Sequence, residues 1–202
     1  MKDTKDVTLA YYAENAEAFA QGTVSADMQA KREEFLREIP AGGRILDFGC
    51  GSGRDAKAFL EMGYAVDASD GSEELCEYAR AYTGIDVRCS RFEELCAQEA
   101  YDGIWACSSI LHLPREELRK VMERIRDALV PGGVLYSSFR FGLYEGMRGG
   151  RYYTDFTEMS FREFLEEIPG LEEIRMWMTN DVRPGRQDDL WLNILLKRRQ
   201  KA

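Results

Sequence analysis

The stretch ILDFGCGSGRDAKAFL, residues 45–60, decides how the rest of the chain is read. An apolar run (Ile45, Leu46, Phe48) stops at glycines in alternate places, Gly49, Gly51 and Gly53, and a helical pattern follows at once. Glycine tolerates φ > 0 and lets another molecule approach the backbone. A helix N-terminus beyond such a turn favours a negative group. The stretch reads as a buried strand, a tight turn facing a ligand, and a helix.

The same alternation runs outward from it. Upstream, SADMQAKREEFLREIP predicts a helix capped by Ser25 and stopped at Pro40. Downstream, the helix after the glycines closes on Gly63, YAVDAS is a short strand, and SEELCEYARAYTG is helical to Gly84. IDVRCS and YDGIWACSS are strands, with one helical turn at FEELCAQ between them. Leu118, Val121, Met122, Ile125 and Leu129 form one stripe on a helix that Pro131-Gly132-Gly133 should end. VLYSSF is the next strand, and the Gly- and aromatic-rich segment 141–159 has no period. Ser160 with Glu163 suggests a capping box, and EEIRMWM and LWLNILL, joined by one loop, should pair antiparallel. The expectation is an α/β, doubly wound, mostly parallel seven-stranded sheet with helices on both faces and an antiparallel C-terminal strand.

Composition narrows the class. With 202 residues, 45% of them hydrophobic, the chain fits one domain, residues 1–202. It holds no run of about 18 apolar residues, and MKDTKDVTLAYYAENAEAF has no apolar signal core, so a cytoplasmic protein is expected. The five cysteines lack metal-ligand spacing and read as reduced thiols, so no metal is expected. A net charge of −9 disfavours a nucleic-acid partner, and the terminal KRRQK reads as a solvated end.

Three ligands compete for the glycine turn. A phosphate loop requires Lys-Ser or Lys-Thr after the glycines, which is lacking. A dinucleotide loop survives only as Gly51, Gly53 and Ala56, leaving Asp47 and Gly49 without a role. The run D-F-G-C-G-S-G, however, resembles the [DE]-x-G-x-G-x-G loop of class I S-adenosylmethionine-dependent methyltransferases. Asp70, 23 residues after Asp47, stands where that family has an acid gripping both ribose hydroxyls. YDGIWACSSILHLP and LVPGGVLYSSF resemble its fourth strand and its Pro-Gly-Gly turn with the fifth strand, so the likeness covers residues 45–139. The lengths and the N-terminal Tyr-Tyr helix are similar to the small stand-alone type grouped with tellurite-resistance and other small-molecule methyltransferases.

The resemblance implies S-adenosyl-L-methionine as cofactor and S-adenosyl-L-homocysteine as product. It implies a cofactor site of Tyr12, Asp47, Gly49, Cys50, Gly51, Arg54, Asp70, Gly71, Ser72, Arg91, Phe92 and Cys107, with Asp47 toward the ammonium group. Arg54 either pairs with the cofactor carboxylate or lies on the helix surface. Arg91 departs from the family, standing where an acid often accepts from the adenine amino group. It cannot accept a hydrogen bond, so the backbone near Phe92 is expected to hold the base while Arg91 stacks on it or points away. The chain then divides into a helical lid (1–40), a cofactor-binding core (41–140) and a substrate-side insertion with a helix and closing strand pair (141–202).

The acceptor side is less constrained. Proton removal from a hydroxyl or ammonium acceptor needs a base, and His112 is the only histidine. Tyr11, Arg151, Tyr152, Tyr153 and Arg186 are the expected acceptor contacts, and they point to a small, anionic molecule. Arg140, Arg148 and Arg183 lie in the same segments, where the interspersed acids Glu145, Asp155, Asp181, Asp188 and Asp189 could neutralise the arginines. The competing readings are a tRNA modified-nucleotide methyltransferase, a non-catalytic module binding the cofactor or its product, and an NAD-dependent oxidoreductase. No membrane partner is expected, and the chain should be a monomer or weak homodimer.

Overall fold

The computed structural model describes residues 4–183 and 185–200. Residues 1–3 of the expected lid, Pro184 of the 179–189 loop and Lys201 of the basic tail lie outside them. Three helices open the chain, α1 (Thr4–Glu14), α2 (Ala16–Thr23) and α3 (Gln29–Leu36). Strand and helix then alternate through β1 (Arg44–Phe48), α4 (Arg54–Glu61), β2 (Ala65–Asp70), α5 (Glu73–Thr83), β3 (Val87–Cys89), β4 (Tyr101–Ala106), α6 (Arg115–Ala128) and β5 (Leu129–Arg140). A hairpin, β6 (Glu145–Arg148) and β7 (Arg151–Thr154), precedes α7 (Glu158–Glu166), β8 (Leu171–Asn180) and β9 (Leu190–Arg198).

The seven-stranded sheet has the order β3-β2-β1-β4-β5-β9-β8. The first five strands are parallel, and β9 runs antiparallel to both β5 and β8, as expected from the sequence. The order reverses at β1, so the carboxyl ends of β1 and β4 flank a topological switch point, where open α/β sheets bind ligands.

Both faces are buried, so the central strands read as continuous apolar runs. Leu46, Ile104, Leu135 and Ile194 face one core with the α6 stripe of Leu118, Val121, Met122 and Ile125. Their neighbours Ile45, Trp105, Tyr136 and Leu195 face the other, with Phe35 of α3 and Phe59 of α4. Trp105 and Tyr136 stack there at 3.9 Å between centroids.

Local signals were misread at five places. Met28 precedes α3 without a side-chain cap, so Ser25 is not its N-cap. The α7 box is Thr157 with Ser160, not Ser160 with Glu163, because the helix begins one turn earlier. The α6 helix ends at Ala128, and Pro131-Gly132-Gly133 falls within β5, beside a register shift against β4. The basic tail is partly structural: Arg198 ends β9, donates to the carbonyl of Leu129 and pairs with Glu99 at 3.1 Å. Segment 141–159 is not aperiodic throughout. Gly149 and Gly150, at φ 56° and 79°, form the two-residue turn of the β6–β7 hairpin. Both central residues of such a turn need positive φ, and Gly-Gly is a recognised signature.

Gly103 of β4 has a steric reason. A Cβ there would lie 2.3 Å from Ile39 Cδ1 and 2.6 Å from Phe35 Cζ, in the layer that seats α3 on the sheet. Gly103→Val should therefore destabilise the fold by about 1–3 kcal/mol, the usual cost of overpacking a core. Urea denaturation measures this, and an unchanged midpoint would mean that α3 is not seated there.

Candidate active site

One cavity opens beyond the carboxyl ends of β1, β2, β4 and β5, beneath α1 and α2 and beside the 179–186 loop. Every residue expected at the site lines it except Ser72, Tyr11 and Tyr152.

At its β1–β2 end the glycine turn has left-handed φ values at Gly49, Gly51 and Gly53, which glycine alone adopts without strain. The turn spends its own amides. Gly49 and Cys50 N–H donate to the Ser69 carbonyl at 2.8 and 3.0 Å, and Gly51 N–H donates to Asp70 Oδ2 at 2.9 Å. They are therefore not open donors for a cofactor carboxylate. The amides at the start of α4 are better placed: Ser52, Arg54 and Asp55 line the cavity, and their N–H groups find no acceptor among the described residues. Gly49 is needed for space as well, since a Cβ would lie 2.4 Å from Ser109 Cβ and 3.2 Å from the Phe92 ring.

The two expected acids sit as anchors. Asp47, 3% exposed, accepts from Ala56 N–H at 2.9 Å and so caps the first turn of α4 from the strand. Burial, with Asp55 nearby, raises its pKa. Asp70 accepts from Gly51 and Ser72 N–H, and burial raises its pKa too. A carboxylate has about four lone-pair sites, so each acid keeps acceptor capacity toward the cavity. That set, two acids with spare acceptors and free amides at a helix start, fits an ammonium, a ribose diol and a carboxylate, the groups S-adenosylmethionine carries.

Other expected residues have partners or surroundings of their own within the fold. Arg54 lines the cavity from the start of α4, but its guanidinium is engaged: it pairs with Asp55 and donates to the Thr23 carbonyl at 3.2 Å. Arg91 turns to α1 and pairs with Asp6 at 2.6 Å, while Phe92 packs on Phe48 with centroids 4.8 Å apart. Ser72 caps α5 and supplies its amide to Asp70. Cys50 and Cys107 are thiols that burial pushes up, Cys107 to about 11.

His112 sits in the short turn after β4, 8% exposed. Its Nδ1 lies 2.6 Å from the Tyr152 carbonyl, and its Nε2 lies 2.8 Å from Tyr12 Oη. A carbonyl only accepts, so Nδ1 carries the proton, and the neutral ring offers Nε2 to the Tyr12 hydroxyl. Burial is the largest influence on His112 and lowers its pKa to about 4, with Arg151 acting the same way and the Tyr152 carbonyl opposing. Burial pushes Tyr12 up to about 12.

Tyr152 contributes that carbonyl, not its ring, whose hydroxyl donates to Glu145 at 3.0 Å. Tyr11, Tyr12 and Tyr153 box the Arg151 guanidinium at 4.6, 5.7 and 5.4 Å from their centroids. Arg151 Nη1 reaches Tyr12 Oη at 3.4 Å, and its buried Nε has no acceptor among the described residues. Arg140, Arg148 and Arg183 are paired with Asp189, Asp155 and Asp181. Arg186 is exposed at the rim.

Sequence reasoning missed Asp55, Arg32 and Lys31. Asp55 looks like an ordinary first-turn acid, yet it is 4% exposed and takes Arg32 Nη1 at 2.6 Å and Trp105 Nε1 at 3.0 Å. Arg32 and Lys31 lie in the helix expected over SADMQAKREEFLREIP, between its apolar positions, where no motif singles them out. The Phe19 ring, 3.1 Å from where a Gly51 Cβ would be, also roofs the turn.

A family model described as a methyltransferase domain matches residues 45–133. A ubiquinone biosynthesis O-methyltransferase from Xanthomonas axonopodis pv. citri is 31% identical over 106 residues, 49% of this chain and 44% of that protein. One from Nitrobacter winogradskyi is 31% identical over 103 residues, 48% of this chain and 39% of that protein. The chain thus aligns with less than half the length of these relatives. Among solved structures, a Burkholderia thailandensis 1,6-didemethyltoxoflavin-N1-methyltransferase with bound S-adenosylhomocysteine has a TM-score of 0.75 at 20% identity, covering 98% of this chain and 87% of that one. The [4+2]-cyclase SpnF has a TM-score of 0.71 at 14% identity, with 95% of each chain covered, so the fold by itself does not fix the reaction.

Asp70→Asn keeps the shape and one acceptor but removes the charge. It should weaken S-adenosylhomocysteine binding by about 1.5–3 kcal/mol, the range for hydrogen bonds to a charged group. Calorimetry on both proteins decides: equal affinities would take Asp70 out of the cofactor site.

Proposed function

We infer that this chain, which carries a class I S-adenosylmethionine-dependent methyltransferase domain, methylates a small anionic acceptor through an O–H or N–H group. The observation that carries the acceptor reading is the Tyr12–His112–Arg151 group, a neutral base, a hydroxyl and a cation facing one cavity. That cavity is lined by eight cationic and five acidic side chains in a chain of net charge −9, which favours an anion.

When bound, the cofactor supplies an electrophilic methyl group on a sulfonium. Asp47, Asp70 and the first amides of α4 would hold it, and Leu9, Tyr12 and Phe19 would exclude water above it. Tyr12 Oη takes the acceptor's proton as its own passes to His112 Nε2, a relay set by the 2.8 Å contact. A base with pKa about 4 is weak, but a hydroxyl that has gained a methyl becomes an oxonium far more acidic than imidazolium. Transfer coupled to or following carbon–oxygen bond formation is therefore downhill. Arg151, beside Tyr12, would hold the acceptor's anionic group next to the reacting atom. A thiolate or tellurite acceptor would need no such relay. No feature of the cavity favours the tRNA reading, since Arg140, Arg148 and Arg183 already have carboxylate partners.

The test is labelled methyl transfer across paired acids and neutral analogues, together with thiols, oxyanions and tRNA. Preference for a neutral acceptor or a thiol would overturn the reading. Tyr12→Phe should cut kcat on the order of 10²-fold, the lower range for general-base catalysis, with S-adenosylhomocysteine affinity little changed. An unchanged kcat would remove the relay.

The pH dependence follows from the same burial. Since His112 stays neutral down to about 4, kcat/KM should show no His112 inflection near 6.5 and should fall only below about pH 5. An inflection at 6.5 that disappears in His112→Gln would mean that the ring is solvated during turnover.

A further inference from the structure

Lys31, on α3, lines the same cavity from a wall that the sequence left unassigned. It is half-buried, and among the described residues its ammonium makes no hydrogen bond or ion pair. Its surroundings are already committed. Asp181 takes Arg183 and Trp191 Nε1, Asp27 accepts from Gln29 N–H, and Arg54, a like charge, is held by Asp55. Burial disfavours the charged ammonium and lowers its pKa. The neutral polar groups nearby are satisfied by one another: Asn193 donates to Thr179 Oγ1 and accepts from Tyr136, and Ser108 and Ser138 share a hydrogen bond. Among the described residues the cavity thus carries two partly desolvated cations without a carboxylate partner, Lys31 on α3 and Arg151 on β7.

A desolvated cation costs free energy unless it is paired. Evolving an apolar residue would have been the simpler way to line a pocket for a hydrophobic tail. An arriving oxyanion instead removes the cost and adds a short, charge-assisted bond. Arg186 differs, because it is exposed and water serves it.

We propose that Lys31 binds a second oxyanion on the acceptor, making the substrate a small dianion held by Arg151 next to the reacting group and by Lys31 at its other end. This rests on reading the cavity as the acceptor site of a methyltransferase. Arg151 selects the end to be methylated, because it alone of the two touches Tyr12. Lys31 then selects length and charge, and rejects analogues whose far end is an amide or an alkyl chain.

The experiment uses the full chain saturated with S-adenosylhomocysteine. Aliphatic dicarboxylates from malonate to adipate, phthalate and isophthalate are titrated by calorimetry beside their monoamides. The parent should bind at least one dicarboxylate about tenfold or more tightly than its monoamide, the scale of one charge-assisted contact. Lys31→Met should abolish that preference while S-adenosylhomocysteine affinity stays within about twofold, and Lys31→Arg should keep it. The proposal is overturned if no dicarboxylate binds the parent, if dicarboxylates and monoamides bind alike, or if the preference survives in Lys31→Met. Titration of S-adenosylhomocysteine alone separates the two levels: no binding there would defeat the methyltransferase reading itself, whatever the anions do.

Discussion

The buried carboxylate of Asp55 is the interaction on which the site depends. It joins α3 through Arg32, the end of α2 through Arg54, which also donates to the Thr23 carbonyl, and the sheet through Trp105. Two guanidinium groups hold its pKa below the usual carboxylate range although burial pulls the other way. Burying these charges is costly, and removing one partner would leave the others uncompensated, a loss of about 3–5 kcal/mol in comparable cases. Trp105 stacks on Tyr136, whose hydroxyl reaches Asn193 at 2.7 Å, so the same network extends across β5 to β9. Arg32 is the neighbour of Lys31 on α3, so its pair with Asp55 fastens the segment that carries Lys31.

Asp55 and Asp47 divide the electrostatic work. The pKa of Asp55 is depressed, so the stability it contributes is full above its unfolded value and is lost only as pH falls through the folded one. That of Asp47 is raised by burial and by Asp55, so it favours the fold while protonated and opposes it once ionised. A cationic group arriving beside Asp47 would reverse that penalty. The two buried acids thus respond to pH in opposite senses, a distinction the sequence hides because both flank the same turn.

The sheet was legible because its signals are local and redundant. Apolar runs bounded by glycine mark β1, β2 and β4, and the α6 stripe recurs at helical spacing. Asp47, the glycines, Asp70 and His112 were legible because they lie at or just beyond the carboxyl ends of strands in an open parallel sheet, where the topology directs them to one place. The roles of Asp55 and Lys31 were not, since each depends on a partner, or the lack of one, set by how α3 packs. The hairpin was missed for another reason. Strands of four residues show little alternation, and the Gly149-Gly150 turn signal lay inside a segment read as having no period. Its effect was to make Arg151 look like a loop residue when β7 holds it within a box of tyrosines.

The α1 helix carries three unlike duties on one surface. Leu9 lies over Gly71, with its Cδ2 2.6 Å from where a Cβ would be, Tyr12 closes the bond to His112, and Lys5 and Asp6 tie the helix to Glu93, Glu117 and Arg91. Any displacement of α1 large enough to uncover Gly71 also draws Tyr12 off His112. Entry to the β2 end and assembly of the relay are thus mutually exclusive states of one helix. A rigid α1 thus uncovers the cavity beside Gly71 and parts Tyr12 from His112 in one motion, and restores both in one.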